Sequence, residues 1–259
     1  MEPLLSTCRE LDTCHVSLFG SAVTRPTSEI SDVDVHVVVP AVHQRTFDLI
    51  VESAQATIQS LAIENGRKGL LELRHGPFKP SLIDSFLQLH LILDDVASLK
   101  QSAGALLAHR AGTGLLLVGK PLLDQLHVSS PTSWLDESLE ELKRLRRGLA
   151  SSEIVFRQWQ LKPQPRLVEG RVSVTSGGDR VTLLRSTARS ADLHFLAALM
   201  FAPGEKALLE QVAHPLLSQL TTPVSANFTS SQWELVRDQC LEILDWRLEQ
   251  ISRLLQHAK

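Results

Sequence analysis

Residues 16–39 read VSLFGSAVTRPTSEISDVDVHVVV. An apolar run, Val16 to Phe19, enters the small-residue turn Gly20-Ser21. A polar stretch follows, then Ser31-Asp32-Val33-Asp34, and then the apolar run Val35 to Val39. Two strands flanking a turn-rich loop is the local expectation. Alternate side chains of a strand share a face, so Asp32 and Asp34 leave the sheet on one side. Two carboxylates that close resist ionising together unless a cation sits between them. A hard divalent ion with oxygen ligands, Mg²⁺ above all, suits such a pair. The Gly20-Ser21 turn allows close backbone approach and offers N–H groups and a hydroxyl to an anion. An anion cradle beside metal carboxylates suits a nucleoside triphosphate. The plainer alternative is a hairpin with a solvated acidic pair at its mouth.

Gly20-Ser21, ten residues, then Asp32-Val33-Asp34 between apolar strands resembles the signature of the DNA polymerase β-type nucleotidyltransferase superfamily. The resemblance implies a nucleotidyltransferase-fold mixed sheet with flanking helices and a Mg²⁺-dependent transfer of a nucleoside monophosphate. Asp32 and Asp34 are then metal ligands, and Gly20 and Ser21 hold terminal phosphates. Such enzymes carry a third carboxylate on a strand beside the acidic pair. By position that is Glu72, in Leu71-Glu72-Leu73, as general base or metal ligand, on a strand expected to lie next to the second. Glutamate here resembles aminoglycoside adenylyltransferases more than polymerases. Asp94 and Asp95 are rivals for the third acid, although they also read as a helix cap before Val96. Arg25, in the spacer and followed by Pro26, either meets phosphate oxygens or is a solvated loop residue. Ser31 either matches the serine that often precedes the first acid in this superfamily or simply caps the turn. Gly119-Lys120-Pro121-Leu122 resembles the segment closing many such domains, extending the likeness over residues 10–126. Arg74, His75 and Lys79 belong to a basic, proline-stiffened loop, in which Arg74 or Lys79 faces the triphosphate or an acidic acceptor, or which is simply solvated. His90 reads as a hydrogen-bonded sheet histidine.

Length and composition bound the rest. The chain has 259 residues, 43% hydrophobic and 21% charged, as expected of one large or two modest globular domains. Its net charge of −3 argues mildly against a nucleic-acid partner, and local basic patches leave that partner open. Cys8, Cys14 and Cys240 have no metal-ligand spacing and are odd in number, which suits free thiols in a reducing cytoplasm. The first residues lack a signal-peptide pattern, and no apolar run is long enough to span a bilayer.

Taken in order, the pattern predicts a helix over 3–11, strands near 14–19 and 33–39, a helix over 41–63, strands near 69–75 and 86–95, and helical character from about 98 to 117. A breakable stretch, 127–133, separates a nucleotidyltransferase domain, 1–126, from a mostly helical acceptor-binding domain, 134–259. In the latter the pattern predicts a helix over 134–160, a hairpin over 166–185 turning at Ser176-Gly177-Gly178-Asp179, and helices over 188–202, 204–220 and 230–257. Lys143-Arg144-Leu145-Arg146-Arg147 either steers an anionic acceptor or is a solvated helix face. This order and size resemble aminoglycoside-type nucleotidyltransferases, which implies a small-molecule acceptor. A macromolecular acceptor, tRNA or protein as in antitoxin-like members, is the second reading. A non-catalytic nucleotide-binding module is the third.

Overall fold

In the computed structural model the valine-rich run is strand β2 (Asp32–Val39), at the centre of a five-stranded sheet. The structure describes residues 1–24, 32–76, 86–102, 114–121, 131–175, 179–180, 183–184, 187 and 229–257. The other strands of that sheet are β1 (His15–Phe19), β3 (Lys68–Glu72), β4 (Phe86–Asp95) and β5 (Leu115–Gly119). Their order is β3-β4-β2-β1-β5. β1 runs antiparallel to β2 and β5, while β4 runs parallel to β2 and β3. The expected mixed sheet is therefore present.

Alternation sorts its two faces. Val33, Val35, Val37 and Val39 of β2 and Leu87, Leu89, Leu91 and Leu93 of β4 are buried in one core. Ile50, Ala54, Ile58 and Ala62 of helix α3 (Gln44–Glu64) enter it at helical spacing, as do Leu4 and Cys8 of α1 (Glu2–Glu10). The two helices are stitched together where Leu4 N–H donates to Thr57 Oγ1 at 3.1 Å. The alternate positions, Asp32, Asp34 and His36 on β2 and Gln88, His90 and Asp94 on β4, share the opposite, polar face.

One expectation fails here: β4 stands between β2 and β3, so the Glu72 strand is not β2's neighbour. The cause is burial. β4 is long and buried at most positions, and it pairs with β2 over the whole length of that strand. Such an apolar run belongs inside a parallel sheet, whereas the short β3, with exposed Lys68 and Leu70, tolerates an edge.

Of the expected helix over 98–117, the part within α4 (Val96–Ser102) is helical, residues 103–113 lie outside the described residues, and Leu115–Gly119 is strand β5. Further on, helix α5 (Pro131–Ala150) stops ten residues short of the expected 160. Glu153–Gln160 instead forms β6, paired with β7 (Arg166–Ser173). Ser152, at φ 52°, breaks the helix, and Ile154, Val155, Phe156 and Trp159 supply the β-branched and aromatic content of a strand. The Phe156 ring lies against Gly170, where a Cβ would sit 2.5 Å from the ring. This hairpin turns around 161–165; residues 176–178 of the expected turn lie outside the described residues, and Asp179, Arg180, Leu183 and Leu184 have helical backbone. The long last helix, α6 (Ser230–His257), is as expected. The expected helices over 188–202 and 204–220 lie outside the described residues, as do Arg25, Ser31 and Lys79.

The chain divides into two compact units: residues 1–102 with 110–127 and 156–170, and residues 103–109 with 128–155 and 171–259. Within the second, Leu135, Leu142 and Leu149 of α5 and Trp233, Cys240, Leu244 and Ile251 of α6 are buried. Among the described residues, no helix is long and apolar enough to cross a membrane.

Candidate active site

β1 ends opposite the second acid, with Phe19 paired to Asp34. The next residue, Gly20, has φ 73°, a left-handed conformation that costs a residue with a Cβ about 1–2 kcal/mol. A Cβ at Gly20 would stand 2.5 Å from Asp34 Oδ2. The missing side chain is thus the space that this carboxylate oxygen uses, and the glycine-serine bend touches the acidic pair. Ser21 opens a single helical turn, α2 (Ser21–Thr24).

Asp32 and Asp34 are half-buried on the same face of β2, their Cα atoms about 6–7 Å apart. Asp34 Oδ1 lies 3.2 Å from His90 Nδ1. His90 Nε2 lies 2.8 Å from the Arg74 carbonyl oxygen, which can only accept, so this nitrogen donates. Glu72, His90 and Asp34 occupy one registered row across β3, β4 and β2. That row puts the Cα atoms of Glu72 and Asp34 about 10 Å apart.

Glu72 is engaged by its own strand end. Arg74 N–H and Nε–H donate to Oε1 at 2.9 and 2.8 Å, and Nη2–H donates to Oε2 at 2.7 Å. The guanidinium stacks over Phe156, 5.5 Å from the ring centroid. Burial works to raise the Glu72 carboxyl, but these bonds outweigh it and hold the group below its usual range.

Asp94 and Asp95 lie about 13 and 17 Å further along β4 than His90. Asp95 Oδ1 accepts from Ser98 N–H at 2.7 Å, the helix cap anticipated from sequence. Asp94 is buried and its Oδ2 meets His36 Nε2 at 2.8 Å. Burial would raise its carboxyl, yet the His36 contact holds it below the usual range. His75 and Arg157 complete this buried cluster, joined by backbone bonds of 2.8 and 3.2 Å. Buried His75 Nε2 has no hydrogen-bond partner among the described residues, and desolvation pushes the imidazole down to about 4.

The carboxylate pair fits a hard cation: two oxygen-donor groups on one face, with Asp34 oriented by His90 and relieved of a Cβ at Gly20. Glu72 does not join it in a three-residue set. Among the described residues no group of three or more His, Cys, Asp or Glu side chains is placed to hold a metal ion.

The basic run on α5 is largely paired within its own unit. Lys143 meets Glu140 at 2.7 Å, Arg144 meets Glu141, and Arg146 forks onto Asp245. Lys120 is exposed, and its carbonyl lies 2.8 Å from His15 Nδ1. From sequence, Arg74 is part of a basic loop, His90 is a hydrogen-bonded sheet histidine and Phe156 falls on a helix, so the contacts that join the three to the acids were not legible. The one available signal was the polar pair Gln88 and His90 at alternate positions of an otherwise apolar strand.

No protein-family model matches the chain, and no curated protein matches it either. Among solved structures, a spectinomycin adenyltransferase from Enterococcus faecialis, crystallised with ATP and spectinomycin, is similar over 95% of this chain and 99% of that one. The TM-score is 0.44 at 10% sequence identity, a likeness too slight to carry fold or activity across.

Proposed function

We propose that this protein is a Mg²⁺-dependent nucleotidyltransferase that moves a nucleoside monophosphate from a nucleoside triphosphate to a small-molecule acceptor. The observation that carries the reading is the contact between bend and acid: Asp34 Oδ2 occupies the space beside Gly20 that a Cβ would fill. An anion cradle and a metal carboxylate that touch suit a bound triphosphate.

Asp32 and Asp34 are the residues that would hold Mg²⁺. Bound there, the ion supplies charge neutralisation to the reacting phosphates. The backbone N–H groups of the Gly20-Ser21 bend, with Arg25, would hold terminal phosphates. The acceptor hydroxyl oxygen bonds to the α-phosphorus, the bond to the β-phosphate oxygen breaks, and pyrophosphate leaves. Glu72 receives the hydroxyl proton, which requires it to lie within hydrogen-bond reach of that hydroxyl.

Pairing of the 143–147 run on its own helices favours a small acceptor over an RNA. Incubation with radiolabelled nucleotides, Mg²⁺ and separate pools of small molecules, RNA and protein tests the assignment. Label transferred to a small molecule supports it. Label on RNA or protein moves the acceptor class, and binding without transfer sinks the enzymatic reading.

A further inference from the structure

Three donors from a single residue fill most of the Glu72 carboxylate. Oε1 accepts two of them, at 2.9 and 2.8 Å, and Oε2 accepts one, at 2.7 Å. A carboxylate has about four lone-pair sites, so the site left over is on Oε2. The fork turns Glu72 along the end of β3 toward Arg74, while β4 and His90 stand between it and Asp34.

Arg74 is itself fixed at both ends. Its guanidinium lies over the Phe156 ring at 5.5 Å, and that ring packs against Gly170. Its carbonyl accepts from His90 Nε2 at 2.8 Å, and His90 Nδ1 reaches Asp34. One residue therefore sets the orientation of the outlying acid and braces the histidine beside the inner one. A planar guanidinium locked on a carboxylate in this way is costly to displace.

We propose that Arg74 is a positioning residue that withholds Glu72 from the metal, leaving the ion to Asp32 and Asp34 and reserving Glu72 Oε2 for the acceptor hydroxyl. This rests on the nucleotidyl-transfer reading. It chooses between the two duties, general base or metal ligand, that the resemblance left open for Glu72. Its consequence is counter-intuitive: removing Arg74 releases a carboxylate toward the cation, so metal binding tightens while transfer slows.

The test is a Mn²⁺ titration followed by electron paramagnetic resonance, with a non-hydrolysable ATP analogue present. Wild type, Asp34→Asn, Glu72→Gln, Arg74→Met, Arg74→Lys and the double variant Arg74→Met with Glu72→Gln are compared. Asp34→Asn is expected to weaken Mn²⁺ by at least about 100-fold, since losing even an outer-shell partner of a ligand costs on the order of 10–100-fold. Glu72→Gln, which keeps the side chain's size, is expected to stay within about twofold of wild type. Arg74→Met is expected to tighten Mn²⁺, Arg74→Lys to do so less, and the double variant to lose the gain. If Glu72→Gln weakens Mn²⁺ as much as Asp34→Asn does, Glu72 is a ligand and the role given to Arg74 falls, while the nucleotidyl-transfer reading stands. If the wild type binds no Mn²⁺ with the nucleotide, that reading falls and takes this one with it. Unchanged or weaker Mn²⁺ binding in Arg74→Met also overturns the role given to Arg74, and should that variant fail to fold, Arg74→Lys decides by the same criterion.

Discussion

Gly20→Ala adds one methyl group where the bend meets the second strand. Two costs are separable there. The backbone cost comes from φ 73°, about 1–2 kcal/mol for any residue with a Cβ. The site cost comes from the contact: the new Cβ meets Asp34 Oδ2 at 2.5 Å, so the carboxylate must retreat by about 0.9 Å to reach ordinary van der Waals distance. That retreat disturbs the 3.2 Å approach of Oδ1 to His90 as well. A displacement of about 1 Å at a reacting centre costs on the order of 100-fold in rate. Gly66 is the internal control. It has φ 63° and nothing within 4 Å of a built Cβ, so Gly66→Ala bears the backbone cost alone. Urea melts should show both variants destabilised by about 1–2 kcal/mol. Calorimetric titration with nucleotide and Mg²⁺ should show Gly66→Ala unchanged and Gly20→Ala strongly weakened, with pyrophosphate release reduced on the order of 100-fold. Equal nucleotide affinity in the two variants would refute the argument, because the clash with Asp34 would then have no functional weight.

Asp32→Asn and Asp34→Asn should each abolish the Mg²⁺ dependence of nucleotide binding and cut transfer on the order of a thousandfold, measured by pyrophosphate release; retained Mg²⁺ dependence in both would remove the pair from the metal site. His75 makes stability acid-sensitive. Its folded-state value is lowered from 6.5 to about 4, so its neutral form stabilises the fold fully above pH 6.5 and that contribution is lost as pH falls toward 4. Part of the residue remains exposed, so the loss is at most about 3 kcal/mol. Urea melts of His75→Phe across that window should give a flatter pH profile than wild type, and parallel profiles would count against it. Leu89→Ala in the buried centre of β4 should cost about 2–5 kcal/mol. Arg146→Ala, at an exposed pair with Asp245, should cost under about 1 kcal/mol and be salt-sensitive. Comparable losses in these two urea titrations would overturn the assignment of the basic run as surface.

Much was legible without coordinates because it is carried by local periodicity. Alternation in DVDVHVVV put two acids on one face, and they are found there, with four valines buried on the other. The glycine before Ser21 is required by a backbone angle and a contact that only glycine allows. Asp95 caps its helix, and the α3 and α6 stripes are buried. Errors arose where local and non-local preferences compete. EIVFRQWQ followed a charge-rich helix and read as its continuation despite its β-branched and aromatic residues, and β7 with Gly170 supplied the surface on which Phe156 packs.

Periodicity is a one-dimensional property, so neighbouring residues suffice to say which side chains share a face and where a bend needs glycine. Strand order is not of that kind. It follows from which apolar runs bury most area against each other across tens of intervening residues. That competition placed β4 inside and β3 at the edge. Only then did His90 come beside Asp34, and only the folded chain set Arg74 on Glu72 with Phe156 against its back. The acids themselves were written in the chain; the partner each of them keeps was settled by packing at long range.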